Sequence, residues 1–231
     1  MRNVVVTDPP RAEPAVAAAL GELGVATVHE ALGRAGYLGP ELRPAWAGAR
    51  AGGTAVTALC HPGDNLMVHV AVEQCGPGDV LVVATTSASD DGMFGELLAT
   101  SLQARGVVGV VLAGGVRDVA ELRELRFPAW SRAVSAQGTV KATAGAVNVP
   151  VVVGRQVVAP GDVVVGDDDG VVVVPRLAAA STLAAARARA EREATARAAF
   201  RDGELGLDRY GLRDRLAALG IEYVRHADLE A

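Results

Sequence analysis

Gly95-Glu96-Leu97-Leu98 opens a helical stretch, and Gly114-Gly115-Val116-Arg117-Asp118 follows one helix and one strand later. Ahead of the first lies the apolar run Val80 to Ala84; between the two lies the valine-rich run Val107 to Leu112, after which Gly114-Gly115 reads as a turn. Short apolar runs bounded by turn residues read as strands buried on both faces of a sheet. Phe94 to Ala104 has helical spacing and stops at Gly106, and Asp118 can start a further helix. Strand, helix, strand, helix in this order implies βα units around a central sheet. The quoted motifs then fall at the ends of neighbouring elements, where α/β proteins gather their ligands.

Working outward, Pro14 to Leu23 reads as a helix with proline in its first turn, ended by Gly24. Thr27-x-x-Glu30 has the form of a capping box, so a second short helix is expected from there. Gly33 to Gly53 reads as a long connection and Thr54 to Leu59 as a strand. Asp64 can cap a helix reaching Gln74, and Pro77-Gly78-Asp79 is a turn. Past Pro150 the pattern changes. Val151–Val153, Val157–Val158, Val163–Val165 and Val171–Val174 are short strands separated by turns, an antiparallel or barrel-like part. Asp167-Asp168-Asp169-Gly170 lacks the spaced ligands of a calcium loop and is better read as a hairpin turn. Arg176 to Phe200 is rich in Ala and Arg, hence a long helix, and a last helix is expected from about Asp208 to Leu219. No linker divides the chain, so residues 1–231 read as one domain with a helical extension over 176–231.

The 231 residues are 50% hydrophobic and only 3% aromatic, so the core must be built from Val, Leu and Ala. The net charge is -5 and no basic patch carries aromatics, which argues against nucleic acid as a partner. No apolar run approaches the roughly 20 residues that cross a bilayer, and the apolar start is too short for a signal peptide. Cys60 and Cys75 make neither a CxxC nor a disulfide framework. A cytoplasmic protein with reduced thiols is expected.

The chemistry-bearing residues each have a plain reading beside a functional one. Arg117 could bind a carboxylate through two parallel hydrogen bonds, or make a structural salt bridge. Asp118 could hold a hydrated Mg²⁺, or simply cap a helix. Glu96 suits the dipole at its helix start, while the free N–H groups of Leu97 and Leu98, behind Gly95, could receive a carboxylate. Together they could hold a small 2-oxo acid and a divalent metal side by side. Lys141 is the only lysine. It is a solvated charge, a holder of a second carboxylate, or the one candidate for imine chemistry. Glu193, in Arg189-Ala190-Glu191-Arg192-Glu193, has the look of an exposed helix face. The glycines from Gly106 to Gly115 are in the wrong order for GxGxxG, and nothing marks a methyl-donor site. No GxSxG occurs, and the four histidines have no zinc spacing.

Read together, Pro62-Gly63-Asp64-Asn65, His69-Val70-Ala71-Val72-Glu73-Gln74, Gly95-Glu96-Leu97-Leu98-Ala99, Gly115-Val116-Arg117-Asp118, Trp130-Ser131-Arg132-Ala133, Gln137-Gly138-Thr139-Val140-Lys141 and Gly170-Val171-Val172-Val173-Val174-Pro175 resemble a known family. It is that of the class II pyruvate aldolases acting on 4-hydroxy-4-methyl-2-oxoglutarate and 4-carboxy-4-hydroxy-2-oxoadipate, which share a fold with the RraA-type regulators of a ribonuclease. Gly203-Glu204-Leu205-Gly206-Leu207-Asp208 with Tyr210-Gly211 resembles the aldolase branch in particular.

The resemblance implies an α/β fold, an αββα sandwich of the swivelling β/β/α type with long C-terminal helices, assembled as trimers or hexamers. It implies Mg²⁺ or Mn²⁺ as cofactor, with Asp118 as direct metal ligand and Arg117 on pyruvate or its enolate. Glu96 would hold metal-bound water, Gly95 and the Leu97 and Leu98 amides would form the carboxylate site, and Lys141 would face the distal part of the substrate. Glu193 would reach the site of the adjacent subunit. Oxaloacetate decarboxylation is implied as a second activity; the alternatives are a regulatory binding protein without catalysis, or an aldolase relative recruited to another pathway. Relatives usually carry Asp where this chain has Ala113. That acid lies near the site, so Ala113 bears on the metal's surroundings or the substrate range.

Overall fold

The valine runs carry apolar side chains at every position, so each strand can bury both faces, and the structure uses both. In the computed structural model, which describes residues 3–229, the elements run β1 (Val4–Val5), α1 (Pro14–Leu23), α2 (Val25–Ala31), β2 (Arg43–Pro44), β3 (Ala51–Cys60), α3 (Leu66–Gln74), β4 (Asp79–Thr85) and β5 (Gly92–Phe94). There follow α4 (Glu96–Ala104), β6 (Gly109–Val116), α5 (Val119–Glu124), β7 (Ala129–Val134), β8 (Ala146–Val147), β9 (Val151–Val153) and β10 (Gln156–Val158). The chain continues through β11 (Val163–Asp167), β12 (Gly170–Val174), α6 (Ala179–Arg201), α7 (Gly206–Arg209) and α8 (Arg213–Ala218).

β3, β4, β6 and β7 are parallel neighbours, and α3, α4 and α5 are the crossovers between them. Side-chain alternation assigns the layers. Val56, Ala58, Leu81, Val83, Val110 and Leu112 pack with the helix residues Val68, Leu98, Leu102 and Leu122. Their neighbours Ala55, Val80, Val82, Val111 and Trp130 face the other way and meet Val164, Val171 and Val173. On the far side Val163, Val165, Val172 and Val174 meet Ala17, Leu20, Val28 and Leu183 from α1, α2 and α6. Helices, sheet, sheet, helices is the αββα sandwich. β11 also pairs with β3, so the second layer continues the same sheet, while β9 and β10 pair only with each other.

Several boundaries differ from the sequence reading. Thr27 lies inside α2, and the helix begins at Val25 because Gly24, at φ +82°, turns the chain directly out of α1. Its first N–H is capped from a distance, Val25 donating to Asp167 Oδ2 at 2.8 Å. The expected long connection contains β2, and β3 begins three residues early. Gly114-Gly115 is strand rather than turn. β6 continues through it to Val116, with a register shift against β7 between Leu112 and Gly115. The helix expected over 208–219 is two short pieces, separated where Gly211 takes φ +62°. Asp167 and Gly170 do close the β11–β12 hairpin.

The described residues fall into two compact units that divide between Arg187 and Ala188. The second comprises the end of α6 with α7 and α8; among its side chains Ala196 is buried, while Leu205, Tyr210, Leu219, Tyr223 and Leu229 are exposed. No described helix is long and apolar enough to cross a membrane. Cys60 and Cys75 are buried free thiols.

Candidate active site

β6 delivers Arg117 and Asp118 at its carboxyl end. The Arg117 N–H donates to Phe94 O at 2.9 Å, which ties the exit of β6 to the strand entering α4. Asp118 then takes φ +55°, a left-handed conformation that costs a non-glycine residue about 1 kcal/mol or more. This turn aims its carboxylate sideways rather than onto α5. Asp118 makes no cap bond to its own helix and instead accepts the Glu96 N–H at 3.1 Å through Oδ2, 3.5 Å from Arg117 Nε. Gly95 makes room for the pair: a Cβ there would stand 2.3 Å from Asp118 Oδ2 and 2.9 Å from Arg117 Cγ.

With the Glu96 amide taken by Asp118, the amides of Leu97 and Leu98 are the ones at the start of α4 without a hydrogen-bond partner among the described residues. Both residues line a cavity of about 140 Å³, together with Asn65, His69, Gly95, Arg117 and Lys141 among others. Arg117 also borders an adjacent hollow of about 320 Å³, shared with Asp118, Val134, Ser135 and Ala136. The guanidinium therefore stands between a small pocket rich in donors and a more open one holding a carboxylate.

Asn65 and His69 carry no signal of chemistry in the sequence, although their i, i+4 spacing places them on one face of α3. Asn65 Nδ2 donates to Met93 O at 2.9 Å, and its buried Oδ1 has no partner. The His69 ring titrates below its ordinary value, first through partial desolvation and then through the positive charge of Lys141. It is neutral at pH 7 and can accept a proton.

Glu96 lines neither hollow; its Oε1 accepts the Thr100 hydroxyl at 2.8 Å. Glu193 belongs to the second unit, where it pairs with Arg189 at 2.7 Å beside a larger cavity of about 600 Å³. Both carboxylates of that cavity are already paired, Glu204 with Arg209 and Glu193 with Arg189, and it offers no open helix amides, so the smaller pocket carries the better case for chemistry. Ala113 packs against the apolar cluster of Val82, Val111 and Trp130 and lines neither hollow at Arg117.

Among the described residues no three His, Cys, Asp or Glu side chains converge as a metal site. A single carboxylate nevertheless fits Mg²⁺, which keeps most of its own waters. Asp118 is 38% exposed and its Oδ1 is unengaged.

Paired carboxylate and guanidinium groups at the end of a parallel strand, beside open helix amides, are groups of the kind that can receive a small anion in an α/β protein. The family described as "RraA-like: Aldolase/RraA" matches residues 25–173, and the chain belongs to it. It is 38% identical over 143 residues to "Putative 4-hydroxy-4-methyl-2-oxoglutarate aldolase" of Burkholderia multivorans, covering 62% of this chain and 87% of that one. A protein of the same name from Halalkalibacterium halodurans is 34% identical over 124 residues, covering 54% of this chain and 59% of the relative's length. Among solved structures, RraAS2 of Streptomyces coelicolor, titled an unusual member of the RNase ES inhibitor RraA protein family, aligns with a TM-score of 0.73 at 30% identity, over 82% of this chain and 99% of that one.

Proposed function

We propose that this protein is a divalent-metal-dependent carbon–carbon lyase acting on 4-hydroxy-2-oxo di- and tricarboxylic acids. Its substrates would be 4-carboxy-4-hydroxy-2-oxoadipate or 4-hydroxy-4-methyl-2-oxoglutarate, and the products pyruvate plus oxaloacetate or a second pyruvate. The observation that carries the reading is Arg117 standing between the open amides of Leu97 and Leu98 and the carboxylate of Asp118. The aldolase names of the relatives support it.

In the cleavage a proton leaves the C4 hydroxyl and the C3–C4 bond breaks. Its electron pair moves onto the 2-oxo oxygen, giving a pyruvate enolate that is then protonated at C3. The Leu97 and Leu98 amides receive the C1 carboxylate and orient it. Arg117 places a fixed positive charge where the enolate oxygen develops; removing one such donor typically costs about 3–4 kcal/mol of barrier. Asn65 Oδ1, an acceptor with nothing to accept, suits a substrate hydroxyl. Lys141 suits the far carboxylate. A metal held by Asp118 would supply Lewis-acid polarisation of the 2-oxo group. Glu96 and Glu193 are the acids proposed to orient the water that exchanges the proton, Glu193 coming from a neighbouring subunit of a trimer or hexamer. Exposed Leu97 and Val134 at the rim, and the exposed apolar residues of the second unit, support such an assembly. The same enolate forms when oxaloacetate loses CO₂, so oxaloacetate decarboxylation is proposed as a second activity.

Pyruvate release from oxaloacetate and from 4-carboxy-4-hydroxy-2-oxoadipate, with Mg²⁺ or with EDTA, tests the reading in wild type and Asp118→Ala. Release that needs metal and is lost in the variant is expected. The similarity to RraAS2 favours one competing reading, a regulatory binding protein. No release from either substrate under any metal would move the assignment there.

A further inference from the structure

Lys141 sits in a stretch, residues 135–145, that has no regular structure beyond one bridge between Val140 and Asp64. Lys141, Ala142 and Thr143 are all exposed. A lysine on such a segment would ordinarily sample many positions, because neither backbone nor side chain is fixed by packing. Here the backbone on both sides of it is tied to one short segment. Val140 N–H donates to Gly63 O at 3.0 Å, and Val140 O accepts the Asn65 N–H at 3.0 Å. The N–H groups of Ala142 and Thr143 donate to a single oxygen, Asp64 Oδ2, at 2.9 and 2.6 Å. The other oxygen, Oδ1, accepts the Leu66 N–H at 2.9 Å in the first turn of α3.

Asp64 is 1% exposed. Burial alone would raise its carboxyl, but the N–H groups of Leu66, Ala142 and Thr143, joined by the Thr143 hydroxyl, outweigh burial and leave it below the ordinary aspartate value. The side chain is thus a buried carboxylate engaged chiefly by backbone donors, and hydrogen bonds to an ionised acceptor are roughly twice as strong as neutral ones. One oxygen serves α3, which carries Asn65 and His69; the other serves the segment carrying Lys141.

We propose that Asp64 is a positioning residue that straps the Lys141 segment to the start of α3, fixing the ammonium at the cavity shared with Asn65, His69 and Arg117. The inference rests on reading Lys141 as the group that receives the far carboxylate of a 2-oxo diacid. Asp64→Asn keeps the volume but accepts on one side only, so either the cap of α3 or the strap is lost.

The absence of any other lysine makes the test direct. Reductive methylation with ¹³C-formaldehyde labels Lys141 and the terminal amine alone. In the wild type the dimethyl-lysine resonance is expected away from the free amino-acid position, and to move on addition of 2-oxoglutarate. In Asp64→Asn it returns to the free position and no longer responds. The kinetic counterpart is a rise in KM for oxaloacetate of about tenfold, with most of the loss in KM rather than kcat. In a Lys141→Met background the same substitution should change KM by no more than about twofold, because the two residues act as one unit. An equal effect in both backgrounds would make Asp64 a structural residue and overturn the inference, as would an unchanged lysine signal. Should Asp64→Asn not fold, amide exchange on the unaltered protein decides. Ala142 and Thr143, though exposed, must be protected, and exchange at free-peptide rates would refute the strap. Wild type without turnover would sink the lyase reading alone, leaving the resonance and exchange measurements to judge Asp64.

Discussion

At the scale of single residues, the site depends on one missing side chain. Gly95 has an extended backbone, φ -155°, that any residue can adopt, so its value lies in the space it leaves. Gly95→Ala should therefore leave the thermal midpoint nearly unchanged while pushing Asp118 and Arg117 apart. Displacements of about 1 Å at such a site cost on the order of 10²-fold in rate. Steady-state kinetics of pyruvate release, run beside a melting curve, check both halves of that expectation. The same residue explains part of what the sequence could and could not disclose. Arg117 and Asp118 were legible as a pair, because both ends of a βα unit were marked by glycine. The left-handed turn at Asp118, which lends its carboxylate to Glu96 N–H rather than to α5, was not, since nothing local to the sequence distinguishes that aspartate from an ordinary cap. Asn65 and His69 lie in motifs of the family, yet their place at the site is not legible for a different reason. Their neighbours are apolar at helical spacing, and only the fold brings the helix face opposite Arg117 and Lys141.

At the scale of elements, the buried strands and most helices could be read because valine runs and glycine stops are strong local signals. Alternation within β3, β4 and β6 was hidden, as both faces are apolar, so the two-layer stacking could come only from resemblance. Gly114-Gly115 is strand where a turn is expected, for a physical reason. A Cβ at Gly115 would lie 2.4 Å from Asp90 O and 2.8 Å from Asp91 O, so glycine is there to admit the 87–91 loop against the strand, not to turn it. A similar close approach joins α1 to β3. A Cβ on Gly21 would meet Gly52 Cα at 2.8 Å, and one on Gly52 would meet Gly21 Cα at 2.5 Å. Backbone against backbone cannot give way as a side chain can. Gly21→Ala is expected to cost about 1–3 kcal/mol by overpacking. Denaturant unfolding reads the loss, and kcat of the folded fraction should be unaltered, since neither glycine borders the cavity.

At the scale of the whole molecule, the open question of chemistry becomes one of assembly. Glu193 lies in the second unit, paired with Arg189, and the proposed reaction asks it to serve a neighbour. Arg117→Ala and Glu193→Ala chains should each be nearly inactive alone. Co-refolded in equal amounts they should recover about a quarter of wild-type turnover, because each site of a symmetric oligomer needs one intact pocket and one intact donor. No recovery in verified mixed oligomers would remove Glu193 from the mechanism. The layered core has a chemical consequence of its own. Cys60 and Cys75 lie inside the helix-covered layer, where burial first and then the nearby charges of Asp64 and Asp79 push both thiols up to about 12. At neutral pH that leaves a thiolate fraction on the order of 10⁻⁵, against a few per cent for a free cysteine. The thiolate is the form that attacks peroxide and electrophiles, so burial protects both thiols from oxidation. Oxidative damage will fall first on other groups.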